Sequence, residues 1–245
     1  MPLLTPQQYV EYRQNYRYDA CLCKFSIEQT GSLQNIGEFS GVFSGQILPY
    51  FPKGITLRRF EIICQEVFQD CQSAMNKNQF SPVHLSNLKN ISAAIVFWKM
   101  ASQGGRAPQK MNNMLNKWNN STANQLINAY IKKDIALFRI GGVLIPTASA
   151  FLRFLYPKEF GIIDSRVTNN YTQPHKITSL NLRDDGYILN VHQNIKEYYE
   201  KYIPFLRNEA KWMNEQGITF EDRDDAGSEI ISNFRPCDIE MALFM

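Results

Sequence analysis

Along most of the chain the apolar positions recur at helical spacing. In "LRRFEIICQEVFQDCQSAM" the residues Phe60, Ile63, Cys64, Val67, Phe68 and Cys71 fall on one face, the signature of an amphipathic helix. "LSNLKNISAAIVFWKMA" repeats the pattern with Leu88, Ile91, Ile95 and Trp98, and "QGGRAP" then breaks it. Two short helices are predicted next, "PQKMNNMLNKW" and "STANQLINAYIKKD", the second capped by Ser121 or Thr122. After Pro146 a helix is expected to run to Leu155 and stop at Tyr156-Pro157, and Asp164 is placed to cap another. A long helix broken at Pro204 should fill Tyr187 to Gln216, "EDRDDAGSE" reads as an acidic loop, and "PCDIEMALF" as a last helix opened by Pro236. Only residues 20–50, rich in Gly and Phe with short runs such as "FSGVFSGQI", look partly extended. The pattern predicts a mainly α protein: an N-terminal, partly extended region over 1–56 and a helical domain over 57–245.

Composition narrows this little. Of 245 residues, 44% are hydrophobic and 20% charged, the profile of an ordinary globular chain. The net charge of +3 hides an asymmetry. Lys99 to Asn170 holds ten Lys/Arg against Asp134, Glu159 and Asp164, a segment of +7 that leaves −4 elsewhere. Two readings follow: a surface facing a polyanion, or basic residues spread over solvated helix faces. Five cysteines without a CxxC pair suggest neither a zinc site nor an iron–sulfur cluster. Reduced thiols in a cytoplasmic protein fit best. His84, His175 and His192 are scattered, so no metal is expected. No signal peptide opens the sequence, and Arg139 and Arg153 interrupt the most apolar run, so no membrane span is expected either.

The chemistry concentrates in "GGVLIPTASAFLRFLYPKEFGIIDSRV". Gly141 and Gly142 permit the left-handed backbone of a sharp turn. Ala148, Ser149 and Ala150 are small enough for close helix packing, and Pro146 at the first helical turn loses no hydrogen bond. "ALFRIGGVLIPTASAFLRFL" thus reads as a helix–hairpin–helix spanning 135–155, whose exposed amides suit a phosphate. A buried helical hairpin that binds nothing has the same pattern. Asp164, at the end of the loop 160–167 behind an apolar wall, is an N-cap, a catalytic carboxylate, or both.

These residues together resemble the helix–hairpin–helix DNA glycosylases, and most of all their 8-oxoguanine glycosylase-fold branch. The resemblance rests on the glycine turn, Pro146-Thr147-Ala148-Ser149-Ala150, and an aspartate about 20 residues on followed by Arg166-Val167. It covers roughly residues 95–170 and, more weakly, Arg235 to Leu243, but not 1–56. It implies two helical subdomains around a cleft, a hairpin that grips double-stranded DNA, and a base flipped into a pocket. It makes Asp164 the carboxylate that drives N-glycosidic cleavage, with no cofactor. The DNA contacts it implies are Gly141, Gly142, Val143, Ile145, Thr147 and Arg166, joined by Arg106, Lys132 and Lys133 as basic neighbours. Bifunctional members carry a hairpin lysine; here Ile145 or Pro146 stands there, Leu144 replaces the second turn glycine, and no lysine lies between Arg139 and Lys158. The expected activity is therefore that of a monofunctional glycosylase, a monomer, acting on an oxidised purine in repair or on a bulky hypermodified base in defence against phage. Lys132 or Lys133 remains as the source of any lyase activity, or as a phosphate contact. Trp98 reads as core. Asn119 and Asn120 form a capping loop or a polar wedge. A catalytically silent hairpin DNA-binding module is the alternative, and a helical interaction protein that has lost DNA binding the third reading.

Overall fold

The structure, a computed structural model, describes residues 2–16, 56–100 and 113–245. The partly extended stretch expected within 20–50, Cys21, Cys23 and Arg106 lie outside those residues. What is described is mainly helical, with one two-stranded sheet. It divides into two compact units: residues 2–16, 144–224 and 228–245 form the first, and the described part of 17–143 with 225–227 the second.

The second unit is a packed set of helices. Helix α2 (Leu57–Asn76) is capped by Thr56, whose side chain accepts from the Arg59 amide. Its buried face carries Phe60, Ile63, Cys64, Phe68 and Cys71, as the spacing predicts. Helix α3 (Pro82–Met100) is buried at every position from Ile91 to Val96, as a core helix should be. Trp98 is buried too. Helix α4 (Asn120–Lys132) packs on both. Its cap is Asn119, whose side chain accepts from the Thr122 amide at 2.9 Å, not Ser121 or Thr122. The Thr122 hydroxyl is buried and donates instead to the Lys117 carbonyl. The three described cysteines, Cys64, Cys71 and Cys237, are buried free thiols, and burial pushes Cys71 up to about 12.

The first unit is built on two helices with almost no exposed surface. In α5 (Ile145–Leu155) every residue from Thr147 onward is buried, Arg153 included. That arginine donates to the Met241 sulfur and lies over the Phe154 ring, so it adds nothing to a basic surface. Helix α6 (Ser165–Val167) runs directly into a π-helical turn, Thr168–Thr172. The long helix expected from Tyr187 begins at His192. It comprises α7 (His192–Glu197), a second π-helical turn (Tyr198–Tyr202) and α8 (Ile203–Glu215). The widened turn lies just ahead of Pro204, which lacks the amide an α-helix would use there. Residues 187–191 take another course, with Ile188 bridged to Leu182.

The expected acidic loop is instead a hairpin. Strands β1 (Thr219–Arg223) and β2 (Glu229–Asn233) pair antiparallel, Phe220 opposite Ser232. Only one residue per strand is fully buried, Phe220 and Ser232; in β2 the buried position is polar and Ile231 is exposed, so the alternation that marks a half-buried strand is absent. Helix α9 (Pro236–Phe244) closes the chain and is buried from Pro236 to Leu243.

The N-terminal region also holds a helix, α1 (Pro6–Gln14), which its composition did not announce. Thr5 and Gln8 form a capping box at its start. It packs on α9 and β1. Tyr9 donates to Glu209, and Arg13 donates to Asp238 at 3.0 Å and pairs with Asp222 at 3.5 Å. Asp238 is fully buried, which opposes its charge, but Arg235 and Arg13 together hold its carboxyl well below the usual range.

Candidate functional site

Phe160, Gly161, Ile162 and Ile163 are buried one after another, and the next residue, Asp164, is half-buried. Three side chains from elsewhere in the first unit fix the backbone of this strap. Tyr198 donates its hydroxyl to the Gly161 carbonyl at 3.0 Å, and Tyr202 donates to the Ile162 carbonyl at 2.7 Å. The Ile163 amide donates to Ser149 Oγ at 3.2 Å, while that hydroxyl donates to the Pro146 carbonyl at 2.9 Å. Three backbone groups of the strap, two carbonyls and one amide, are thus held by side-chain partners.

Both tyrosines are fully enclosed. Burial raises each hydroxyl far above its ordinary value, with Tyr199 and Glu240 adding to it at Tyr198, and Glu240, Tyr198 and Asp164 at Tyr202. They therefore stay protonated, and so remain donors, across the whole physiological range. The two rings stack on each other at 6.0 Å, and Tyr198 stacks on Phe160 at 6.4 Å. Gly161 has no room to be anything else: a Cβ there would lie 2.5 Å from Leu206 Cδ1 and 2.9 Å from Glu240 Cβ.

Asp164 emerges from this packing as the N-cap of α6. Its Oδ1 accepts from the Arg166 amide at 2.8 Å, and its carbonyl accepts from the Thr168 amide. The cap expected from the sequence is present. It fixes the carboxylate's rotamer through one oxygen. Arg166 is exposed; its guanidinium donates to the Phe244 carbonyl at 3.3 Å and sits 4.5 Å over the Phe244 ring. The tyrosines and Ser149 were not singled out by sequence reasoning as partners of the strap. The signal for the tyrosines was their spacing of four, which puts both on one helix face.

The glycine turn belongs to the second unit. Ile140 to Val143 close a turn through the Val143 amide and the Ile140 carbonyl at 2.9 Å, with φ of 55° at Gly141 and 86° at Gly142. Both central residues are left-handed, as a type I′ turn requires. Gly141 also permits close backbone contact, since a Cβ would come 2.6 Å from Met114 Cα; Gly142 faces open space. The stretch before the turn is not the expected helix. Residues 135–138 are a run of turns, and the helix preceding the glycines is α4. Lys133 ends α4 with a φ of 52°, and the Asp134 side chain accepts from the Ala136 amide, a local bond that competes with helix.

The remaining positions separate by exposure. Val143, Ile145 and Thr147 are buried, so any contact they make with a ligand falls to the backbone. The Val143 and Thr147 amides are bonded to the Ile140 and Leu144 carbonyls. No described residue accepts from the amides of Gly141 or Gly142, nor, at the start of α5, from those of Leu144 or Ile145. Leu144 is the N-cap of α5 and provides no side-chain cap. Lys132 is exposed at the end of α4, and Lys133 is half-buried. Among the described residues no group of His, Cys, Asp and Glu could hold a metal ion, and no helix is long and apolar enough to cross a membrane.

No protein-family model, no curated protein and no solved structure matches the chain.

Proposed function

We propose that the protein is a monofunctional DNA glycosylase, a monomer that turns a damaged or modified base out of double-stranded DNA and hydrolyses its N-glycosidic bond. The observation that carries this reading is the mounting of Asp164. A strap of four buried residues, bonded by Tyr198, Tyr202 and Ser149, ends in one carboxylate whose rotamer is set by the Arg166 amide. That mounting gives one charge one position, as chemistry on a particular atom needs.

The chemistry follows from charge. As the bond between sugar and base lengthens, positive charge builds on the sugar, and an ionised carboxylate beside it lowers the barrier. The Asp164 carboxylate stabilises that charge and orients a water, whose oxygen bonds to the anomeric carbon while the bond electrons leave with the base. The water's proton passes to the carboxylate or the departing base. Since no lysine lies between Arg139 and Lys158, water completes the displacement and an intact abasic site remains. The uncapped start of α5, and separately the amides of the Gly141-Gly142 turn, supply donors of the kind that hold DNA phosphates.

The test is to incubate the protein with duplexes carrying oxidised purines and with phage DNA carrying hypermodified bases. Abasic sites are then cleaved with alkali, and released bases are identified by mass spectrometry. A released oxidised purine assigns the activity to repair, and a released hypermodified base assigns it to defence. Binding to duplex DNA without release of any base would favour a silent binding module, the reading in which Asp164 is a cap and nothing more.

A further inference from the structure

The first unit carries a second feature that the Asp164 chemistry does not use. A groove of about 530 Å³ runs between α8, the end of β2 and the turn at 157–159. Its cations are Lys158, Arg207, Lys211 and Arg235, and its one lining acid is Glu215. The floor is rigid and apolar: Phe234 is buried, and the Asn214 side chain holds it by bonds to both its amide and its carbonyl at 2.9 Å. Arg235 is committed to the buried Asp238, so the rim depends on the other three. No described acid lies within ion-pair distance of Lys158. Arg207 meets Glu159 at 3.6 Å and Lys211 meets Glu215 at 3.6 Å, and both pairs are well exposed. Exposed pairs of this kind contribute little to stability, so a phosphate can replace either carboxylate at small cost.

We propose that this groove binds the phosphate backbone of DNA flanking the base at Asp164, an inference that rests on the function proposed above. The position supports it. Lys158, in the turn that leads into the strap, is six residues before Asp164, so their Cα atoms are at most about 20 Å apart. That is the rise of about six base pairs at 3.4 Å each. Arg207 also donates to the Glu159 carbonyl at 2.9 Å, which ties the groove wall to the strap that carries the carboxylate. Arg207 and Lys211 stand one helical turn apart on the same face, giving two cations in line along the groove. A strand engaged at Asp164 thus meets the groove within about six base pairs, less than one turn of duplex.

The experiment measures binding of the full chain to an unmodified 25-base-pair duplex across a salt series, with wild type and the Lys158→Gln/Lys211→Gln variant. Loss of two phosphate contacts should lower the slope of log affinity against log salt by about 1.8. Lys158→Glu/Lys211→Glu should weaken binding further, with the melting curve unchanged to show that the fold is kept. An unchanged slope in both variants, with wild type still binding DNA and releasing bases, would overturn the groove while leaving the glycosylase reading in place. Wild-type protein that binds no duplex at all would overturn both. If the variants instead lose affinity for a polyglutamate peptide and keep their DNA slope, the groove is a peptide site and the inference is wrong.

Discussion

The glycine turn and the Asp164 strap use backbone in opposite ways. At Gly141-Gly142 the amides point at no described acceptor, and two positive φ angles and one bond from the Val143 amide to the Ile140 carbonyl hold the turn's shape. In the strap the polar groups that face the core are bonded to partners up to 40 residues away, and only the terminal carboxylate reaches solvent. The first arrangement offers donors to whatever arrives; the second removes donors and acceptors from play so that one charge has one position. Affinity without base preference needs only the first. Chemistry on a particular atom needs the second, because a misplaced charge stabilises a transition state poorly.

Four substitutions test that division. Asp164→Asn keeps the shape and removes the charge. Base release should fall on the order of a hundredfold or more, while duplex binding, measured by anisotropy, holds or tightens slightly as a negative charge near phosphates disappears. Borohydride should trap no covalent adduct with the wild-type protein. A trapped adduct would show that an amine, most plausibly Lys132 or Lys133, attacks the sugar.

Gly161→Ala places a methyl within 2.5 Å of Leu206 Cδ1. It should cost about 2–3 kcal/mol in chemical denaturation and lower the rate of base release at saturating DNA. Equal rates in both proteins would mean that the strap's position does not matter to the chemistry. Tyr202→Phe leaves the Ile162 carbonyl without its donor, a loss of about 1–3 kcal/mol, with kcat falling more than affinity. Gly142→Ala meets no atom within 4 Å but forces a side chain into a left-handed backbone, costing about 1–2 kcal/mol. Its effect should appear in DNA affinity, with base release from bound duplex unchanged. A fall in release instead would break the comparison.

What the sequence made legible is what depends on neighbours in sequence. The faces of α2 and α5, the cap at Asp164 and the closing helix from Pro236 follow from spacing, turn chemistry and caps. Helix α1 was missed because only Tyr9 and Arg13 are buried along it, which gives no periodic apolar stripe, although the Thr5–Gln8 capping box was written in the sequence. The β1–β2 hairpin was missed because β2 buries Ser232 and exposes Ile231, which removes the apolar alternation of a strand. The basic middle segment looked like a face because burial cannot be read from charge: Arg153 lies wholly inside. Least legible was the support of the Asp164 strap, since Tyr198 and Tyr202 reach it across 37 and 40 residues.

The contact between α1 and α9 fixes the order in which the protein can be finished. Arg13 and Asp238 are separated by 225 positions, so the first unit cannot close until α9 has left the ribosome. At 5–20 residues per second this is on the order of 10–45 s after Arg13 is made. Helices α2, α3 and α4 pack on one another and can assemble during that wait. Until α9 arrives, Arg13 lacks Asp238, and Arg153 lacks the Met241 sulfur to which it donates. A nascent chain stalled before Pro236 should therefore hold a protected α2–α4 and a protease-sensitive remainder.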